Sequence, residues 1–166
     1  MFNLVIILQK KGFILKKYRP NVAALVLSPK YPEKVEVLIA KRNDVDAWQF
    51  PQGGIDKGET PKEALLRELK EEIGTDDVEI IASMPEWLSY DFPKSITTKM
   101  YPYVGQRQKY FLVRLKPTAK IDLNTENPEF DEYKFIDIND VFKYVKSFKR
   151  PVYKTVLKYF KKEGYI

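Results

Sequence analysis

Residues 53–75 read GGIDKGETPKEALLRELKEEIGT, and the helix inside this stretch carries its own boundaries. Thr60-Pro61-Lys62-Glu63 is a capping-box pattern with proline at the first helical position, and Gly74 supplies the stop. On a wheel of 100° per residue, Leu65, Leu66, Leu69 and Ile73 share one arc, while Glu68, Glu71 and Glu72 share the next. The leucine arc is expected to pack on a sheet, with three carboxylates together along its edge. Like charges three and four residues apart repel, at a cost of roughly 0.2–0.5 kcal/mol per pair. A bound divalent cation reverses that sign. A solvated surface helix is the alternative, because Lys62, Arg67 and Lys70 are interleaved. Upstream, Gly53-Gly54 and Gly58 allow sharp turns and close approach to other groups.

The rest of the chain narrows the chemistry. Its 166 residues suit one domain of ordinary size, and 44% hydrophobic with 31% charged residues is a globular composition. The apolar run at 4–8 is too short to span a bilayer, and no leader is expected from its flanks. Cysteine is absent, which excludes disulfides and a thiolate nucleophile. Histidine is absent too, removing the commonest general base and the usual nitrogen ligand of zinc. Chemistry must then rest on carboxylates, lysines, hydroxyls or a hard cation. Oxygen-only donors point to Mg²⁺, Mn²⁺ or Ca²⁺. The net charge is +6, and residues 141–162 hold Lys143, Lys146, Lys149, Arg150, Lys154, Lys158, Lys161 and Lys162 with no acidic residue. Such a stretch reads as a solvated helix face or as a surface for an anionic partner.

Strands are expected over 21–28, 35–40, 78–82 and 110–115, with a shorter one over 133–136. A final helix is expected after Pro151, striped by Val152, Val156, Leu157 and Phe160. A small helix over 141–145 should take Asn139 as its cap. Strands before and between helices predict a mixed α/β (α+β) domain with helices on a sheet.

The spacing Gly53, five residues, Glu59, seven residues, then Arg67-Glu68-Leu69-Lys70-Glu71-Glu72-Ile73-Gly74 resembles the Nudix box. Every fixed polar and glycine position is present; Thr75 stands where the pattern has an aliphatic residue. The resemblance implies the Nudix fold, a mixed β-sheet sandwiched between helices. It implies a catalytic set of Glu68, Glu71, Glu72 and Arg67, with Glu68, Glu71 and Glu72 binding Mg²⁺ or Mn²⁺ and the Gly53 carbonyl adding a ligand. Glu59, Gly54 and Gly74 would shape the loop, with Arg67 helping to hold it. Outside the box, Tyr18-Arg19-Pro20-Asn21-Val22, Trp48-Gln49-Phe50-Pro51-Gln52, Gly105-Gln106 with Lys109-Tyr110-Phe111-Leu112, Pro128-Glu129-Phe130 and Ser147-Phe148-Lys149-Arg150 match in order. Together they are similar to the Nudix members that act on 5′-triphosphorylated RNA and on dinucleoside polyphosphates.

Carried over by position, Glu129 would add an acidic metal ligand, an ordinary loop glutamate being the alternative. Arg19, Arg42, Gln49, Tyr90, Gln106 and Lys149 would line the substrate pocket. Phe148 would stack on a base or pack beside the last helix, and Trp48 reads as a core or loop anchor. The resemblance covers 18–166, leaving 1–17 as an N-terminal extension of unknown role. The implied location is the cytoplasm, with no membrane partner. A housekeeping nucleotide or nucleotide-sugar pyrophosphatase is a rival reading, and a non-catalytic nucleotide or RNA sensor is another.

Overall fold

The computed structural model describes residues 4–9 and 12–166. Strand β1 (Leu4–Gln9) turns back on β2 (Gly12–Leu27), pairing antiparallel from Leu4↔Lys17 to Gln9↔Gly12. The strand β2 continues without a break into the domain. It runs parallel to β8 (Gly105–Leu115), from Tyr18↔Gly105 to Leu27↔Arg114. Around this central pair lie β3 (Glu36–Arg42), β4 (Trp48–Gln49), β5 (Gln52–Gly54), β6 (Val78–Ser83), β7 (Leu88–Asp91) and β9 (Phe130–Asp137). The path through the sheet is β4-β3-β2-β8-β6; β5 pairs with β2, β7 with β8 and β9 with β3.

The sheet is mixed and covered on both faces. Alternate residues of β2 divide accordingly: Val22, Ala24 and Val26 pack toward α1 (Pro61–Ile73), while Ala23, Leu25 and Leu27 pack toward α4 (Arg150–Lys162). The same division separates Phe111, Val113 and Leu115 from Tyr110 and Leu112 in β8. Burial on both faces explains why these strands read as nearly continuous apolar runs.

Helix α1 keeps its expected limits. The Thr60 side chain accepts from the Glu63 amide while Glu63 accepts from the Thr60 amide, and Gly74 ends the helix at φ 77°. That left-handed value is one a side chain rarely adopts. Thr75 is buried and its hydroxyl accepts from the Asp77 amide at 3.1 Å, so the departure from the box pattern serves a turn.

Other expectations are corrected. The cap near residue 139 is Asp137, whose carboxylate accepts from the Asn139 amide; a 3-10 turn (Ile138–Asp140) then leads into α3 (Val141–Tyr144). The last helix starts at Arg150, so Pro151 lies inside its first turn, where a missing N–H costs nothing. The short strands β4, β5 and β7, and the single turn α2 (Lys94–Thr97), were not expected.

Candidate active site

The strand β5 carries the glycines to the N-terminal end of α1. It pairs with β2 through Asn21↔Gly54, Val22↔Gly53 and Ala23↔Gln52. A Cβ on Gly53 would collide with the Glu68 carboxylate, so that carboxylate lies directly on glycine backbone. The Arg19 guanidinium lies over Gly54 in the same way.

Arg67 organises the loop between them. Its Nε and Nη2 donate to the two carboxylate oxygens of Glu59 at 2.8 Å, and Nη2 also donates to the Gly54 carbonyl at 2.8 Å. Nη1 donates to Glu68 at 2.8 Å and reaches Glu71 at 3.4 Å. Paired in this way, Glu59 is held below its ordinary pKa, chiefly by the Arg67 hydrogen bonds. A planar fork suits such bidentate work, which lysine could not do.

The structure separates the three glutamates that the wheel had grouped. The Glu71 side chain is 58% exposed and that of Glu68 14%, whereas Glu72 as a residue is only 3% exposed. Glu72 accepts the Gln52 amide at 2.8 Å through Oε2, while its buried Oε1 has no hydrogen-bond partner. Burial first, then the charges of Glu129 and Glu68, push its carboxyl well above the usual range. Burial likewise raises Glu68, against the pull of Arg67. Leu66, expected in the buried arc, is only half-buried, and Ala64 takes a place in the core.

Among the described residues no three acidic side chains converge into a ready-made metal site. Arg67 holds Glu68, and Glu72 is turned to the Gln52 amide. The donor set nevertheless fits a hard divalent cation. It offers oxygens only, mutual repulsion that a cation would relieve, and one buried carboxylate oxygen with no partner.

Glu68 and Glu71 open onto a cleft of about 660 Å³, which Glu129, Gly53, Gly54 and Arg67 also line. Glu129 is brought there by the segment before β9, where the Asn43 amide donates to its carbonyl at 3.0 Å. Glu59, Gly74 and the buried Glu72 are not part of the cleft wall. Every expected pocket residue is on that wall: Arg19, Arg42, Gln49, Tyr90, Gln106, Phe148 and Lys149. Arg19 and Gln106 are direct partners in the β2–β8 register. Tyr90 donates to Gln106 at 2.7 Å, and its ring meets Phe148 at 5.6 Å. Phe148 is 37% exposed, which removes it from the core. Trp48 also lines the cleft, with its ring edge-on to Tyr144 at 5.8 Å and Lys134 over its face.

Two of these cations are constrained. Arg42 donates to both carboxylate oxygens of Asp44 at 2.7 and 2.6 Å. Lys149 is buried and donates to Gln49 at 2.6 Å; burial, with the nearby Arg42 charge, brings its ammonium down to about 7.

A further layer escaped the sequence reading. Gln108 donates to Asn21 at 2.8 Å and to Gln52 at 3.0 Å, and Tyr110 donates to Gln108 at 2.6 Å. Asn21 Nδ2 and Gln49 Nε2 are buried without partners. The signal was there: Gln106, Gln108 and Tyr110 alternate along one face of the strand. Phe92, Ile96, Lys99 and Met100 also line the cleft, and nothing in their local sequence announces it.

Comparison with known proteins agrees with this geometry. The NUDIX domain model matches residues 17–156. An RNA pyrophosphohydrolase of a Nitratiruptor species is 74% identical over 151 residues, covering 90% of this chain and 97% of the relative. An RNA pyrophosphohydrolase of Campylobacter jejuni is 63% identical over 152 residues, covering 91% and 97%. In fold, the chain is similar to a C. elegans Ap4A hydrolase, with a TM-score of 0.62 at 23% identity, covering 85% of this chain and 95% of that one.

Proposed function

The chain belongs to the NUDIX family, and we propose that it hydrolyses the pyrophosphate linkage at the 5′ end of triphosphorylated RNA. Water adds, pyrophosphate leaves, and the RNA retains a 5′ monophosphate. One observation carries this reading: a single cleft joins an acidic floor (Glu68, Glu71, Glu129) to Arg19, Lys149 and Gln106, with the exposed Phe148 ring at its side. A polyphosphate end attached to a base asks for that combination. The relatives that bear the name RNA pyrophosphohydrolase support it.

NUDIX hydrolases use divalent cations. In this proposal Mg²⁺, or Mn²⁺ in its place, would be held by Glu68, Glu71, Glu72 and Glu129 with the Gly53 carbonyl. Bound there, the cation would neutralise the polyanionic linkage and lower the pKa of water. The side chains do the rest. Arg19, Arg42, Gln49, Gln106 and Lys149 bind phosphate oxygens, Tyr90 positions Gln106, and Phe148 stacks on a base. One of the glutamates takes the proton from the attacking water. Arg67 and Glu59 keep the loop in shape, so that Glu68 stays over Gly53.

Cleavage of dinucleoside polyphosphates such as diadenosine tetraphosphate is the second reading, since that linkage asks for the same floor and the same cations. The proposed location is the cytoplasm. Among the described residues no helix is long and apolar enough to cross a membrane.

The test is a paired hydrolysis assay with Mg²⁺, using 5′-triphosphorylated RNA and diadenosine tetraphosphate at equal concentrations. Wild type should release pyrophosphate faster from the RNA, and both a chelator and Glu71→Gln should abolish it. Faster cleavage of the dinucleotide would favour the second reading. Activity on neither would return the chain to the sensor class.

A further inference from the structure

Behind the cleft wall lies a track of buried polar side chains that the triphosphate chemistry leaves unused. Strands β2 and β8 hold Arg19↔Gln106, Asn21↔Gln108 and Ala23↔Tyr110 in register. Residues two apart on a strand share a face, so the three pairs form one continuous track. Its outer end belongs to the cleft: Arg19, Asn21 and Gln106 line the wall, as does Gln52 from β5. Its inner end is core, since Gln108 and Tyr110 are fully buried and are not part of that wall. Burying an amide and a hydroxyl there is costly unless both are satisfied.

The hydrogen bonds along this track have a direction. The Tyr110 hydroxyl donates to Gln108 Oε1 at 2.6 Å. Gln108 Nε2 then donates to Asn21 Oδ1 at 2.8 Å and to Gln52 Oε1 at 3.0 Å, with Gln106 Oε1 3.4 Å away. Gln106 Oε1 also accepts from Tyr90 at 2.7 Å. The amide oxygens of Asn21 and Gln106 are therefore engaged from within, and what these two residues have left to offer is N–H. Asn21 Nδ2 is buried without a partner among the described residues. The reverse direction fails on counting. It would aim the amide nitrogens of Asn21, Gln52 and Gln106 at one Gln108 oxygen, which has two lone pairs. It would also turn the Gln108 amide toward Tyr110 and leave the buried hydroxyl proton without an acceptor.

We propose that Tyr110 and Gln108 are positioning residues. From the core they set the Asn21 and Gln106 amides with oxygen inward and nitrogen toward the cleft, so that both meet the substrate as donors to its phosphate oxygens. Neither Tyr110 nor Gln108 touches the substrate. The row lies beside Arg19, whose guanidinium rests over Gly54, the register partner of Asn21 on β5. N–H groups fixed in advance lose little freedom in meeting a phosphate. Released from Gln108, either amide could turn its oxygen to the cleft, where it would repel that phosphate. This rests on the reading of the cleft given above, and the group recognised is common to RNA and dinucleotide.

The test compares Tyr110→Phe, Gln108→Met, their double variant and Asn21→Ala, with Mg²⁺, on 5′-triphosphorylated RNA and on diadenosine tetraphosphate. Tyr110→Phe keeps the ring and removes the proton that sets the direction. It should raise KM about fivefold on both substrates, with kcat within about twofold of wild type. Gln108→Met should raise KM about tenfold, and adding Tyr110→Phe should raise it no further, because the hydroxyl then has nothing to direct. Asn21→Ala, at the cleft end of the track, should match Tyr110→Phe. A thermal melt accompanies each variant, since a purely structural role would lower Tm and leave KM alone. An unchanged KM for Tyr110→Phe or for Asn21→Ala overturns the proposal, whatever Gln108→Met does. So does a double variant whose KM rise is the product of the single ones, or a rise confined to one substrate, which would place the row against a nucleoside. Wild type that turns over neither substrate overturns the reading of the cleft, and the positioning role with it.

Discussion

Glu72 sits in the core side of α1 with one carboxylate oxygen on the Gln52 amide and the other without a partner. A carboxylate so placed is costly to keep charged, and its raised pKa expresses that cost. Replacing it with glutamine removes the buried charge while leaving an oxygen for the Gln52 amide. Glu72→Gln should therefore melt at or slightly above the wild-type temperature. Its kcat/KM should nevertheless fall by on the order of 10²-fold or more, the size expected when a carboxylate that serves the reaction is removed. Activity within tenfold of wild type would take Glu72 out of the site. Lys149 gives a pH prediction with a definite sign. Its folded value is about 7, against about 10.4 for a free lysine. Below pH 7 both states hold the proton; between the two values only the unfolded state does. Raising the pH through this window should then stabilise the protein, by at most about 1.4 kcal/mol per unit. Denaturant melts at pH 7, 8 and 9 would show it, and Lys149→Met should flatten the trend. That Glu68, Glu71 and Glu72 fall on neighbouring positions of one helix was legible from their spacing. Their unequal burial was not, because a wheel describes one helix and burial of Glu72 depends on β5 packing beside it.

The elements divide according to how local their causes are. The α1 cap and stop are made by residues within four positions of each other, so Thr60, Glu63 and Gly74 could be read directly. Strands β4 and β5 have two and three residues, and β5 contains two glycines, so neither carries a periodic signal. Their existence depends on partners: Ala40↔Gln49 and Lys41↔Trp48 for β4, and the 21–23 segment of β2 for β5. The helix α4 shows how far such support reaches. Tyr153 accepts from the buried Phe50 amide at 3.0 Å, and the two rings stack at 4.3 Å. Phe50 stands between β4 and β5, so this bond fixes the strand that delivers Gly53. Tyr153→Phe keeps the ring contact but leaves a buried N–H unsatisfied, which should cost about 1–3 kcal/mol. A loss below about 0.5 kcal/mol in a chemical melt would show that the bond contributes little.

At the scale of the molecule, the one-sign stretch over 141–162 resolves into parts with different duties. Lys149 is buried, Arg150 donates to the carbonyls of Phe142 and Val145, and Lys143 pairs with Asp140 at 2.8 Å. What remains for a long anionic partner is the exposed Lys146 and the exposed face of α4, with Lys154, Lys158, Lys161 and Lys162. Phosphates bound there would release counterions, so RNA affinity should fall steeply as salt rises from about 50 to 200 mM. The KM for diadenosine tetraphosphate, too short to leave the cleft, should change much less. Equal salt dependence for both would make this face a solvated one. The local pattern of the chain sufficed for the helix with its caps, the apolar strands and the family. Those depend on neighbours three or four residues apart, or on alternation along one strand. Only the tertiary structure decided which groups share the cleft. Arg19 meets Gln106, Gln49 meets Lys149, and residues 92–100 line the same cleft as Asp44, across separations of tens of residues. No local rule encodes such meetings, because they arise when a central parallel strand pair brings distant segments to one end of the sheet.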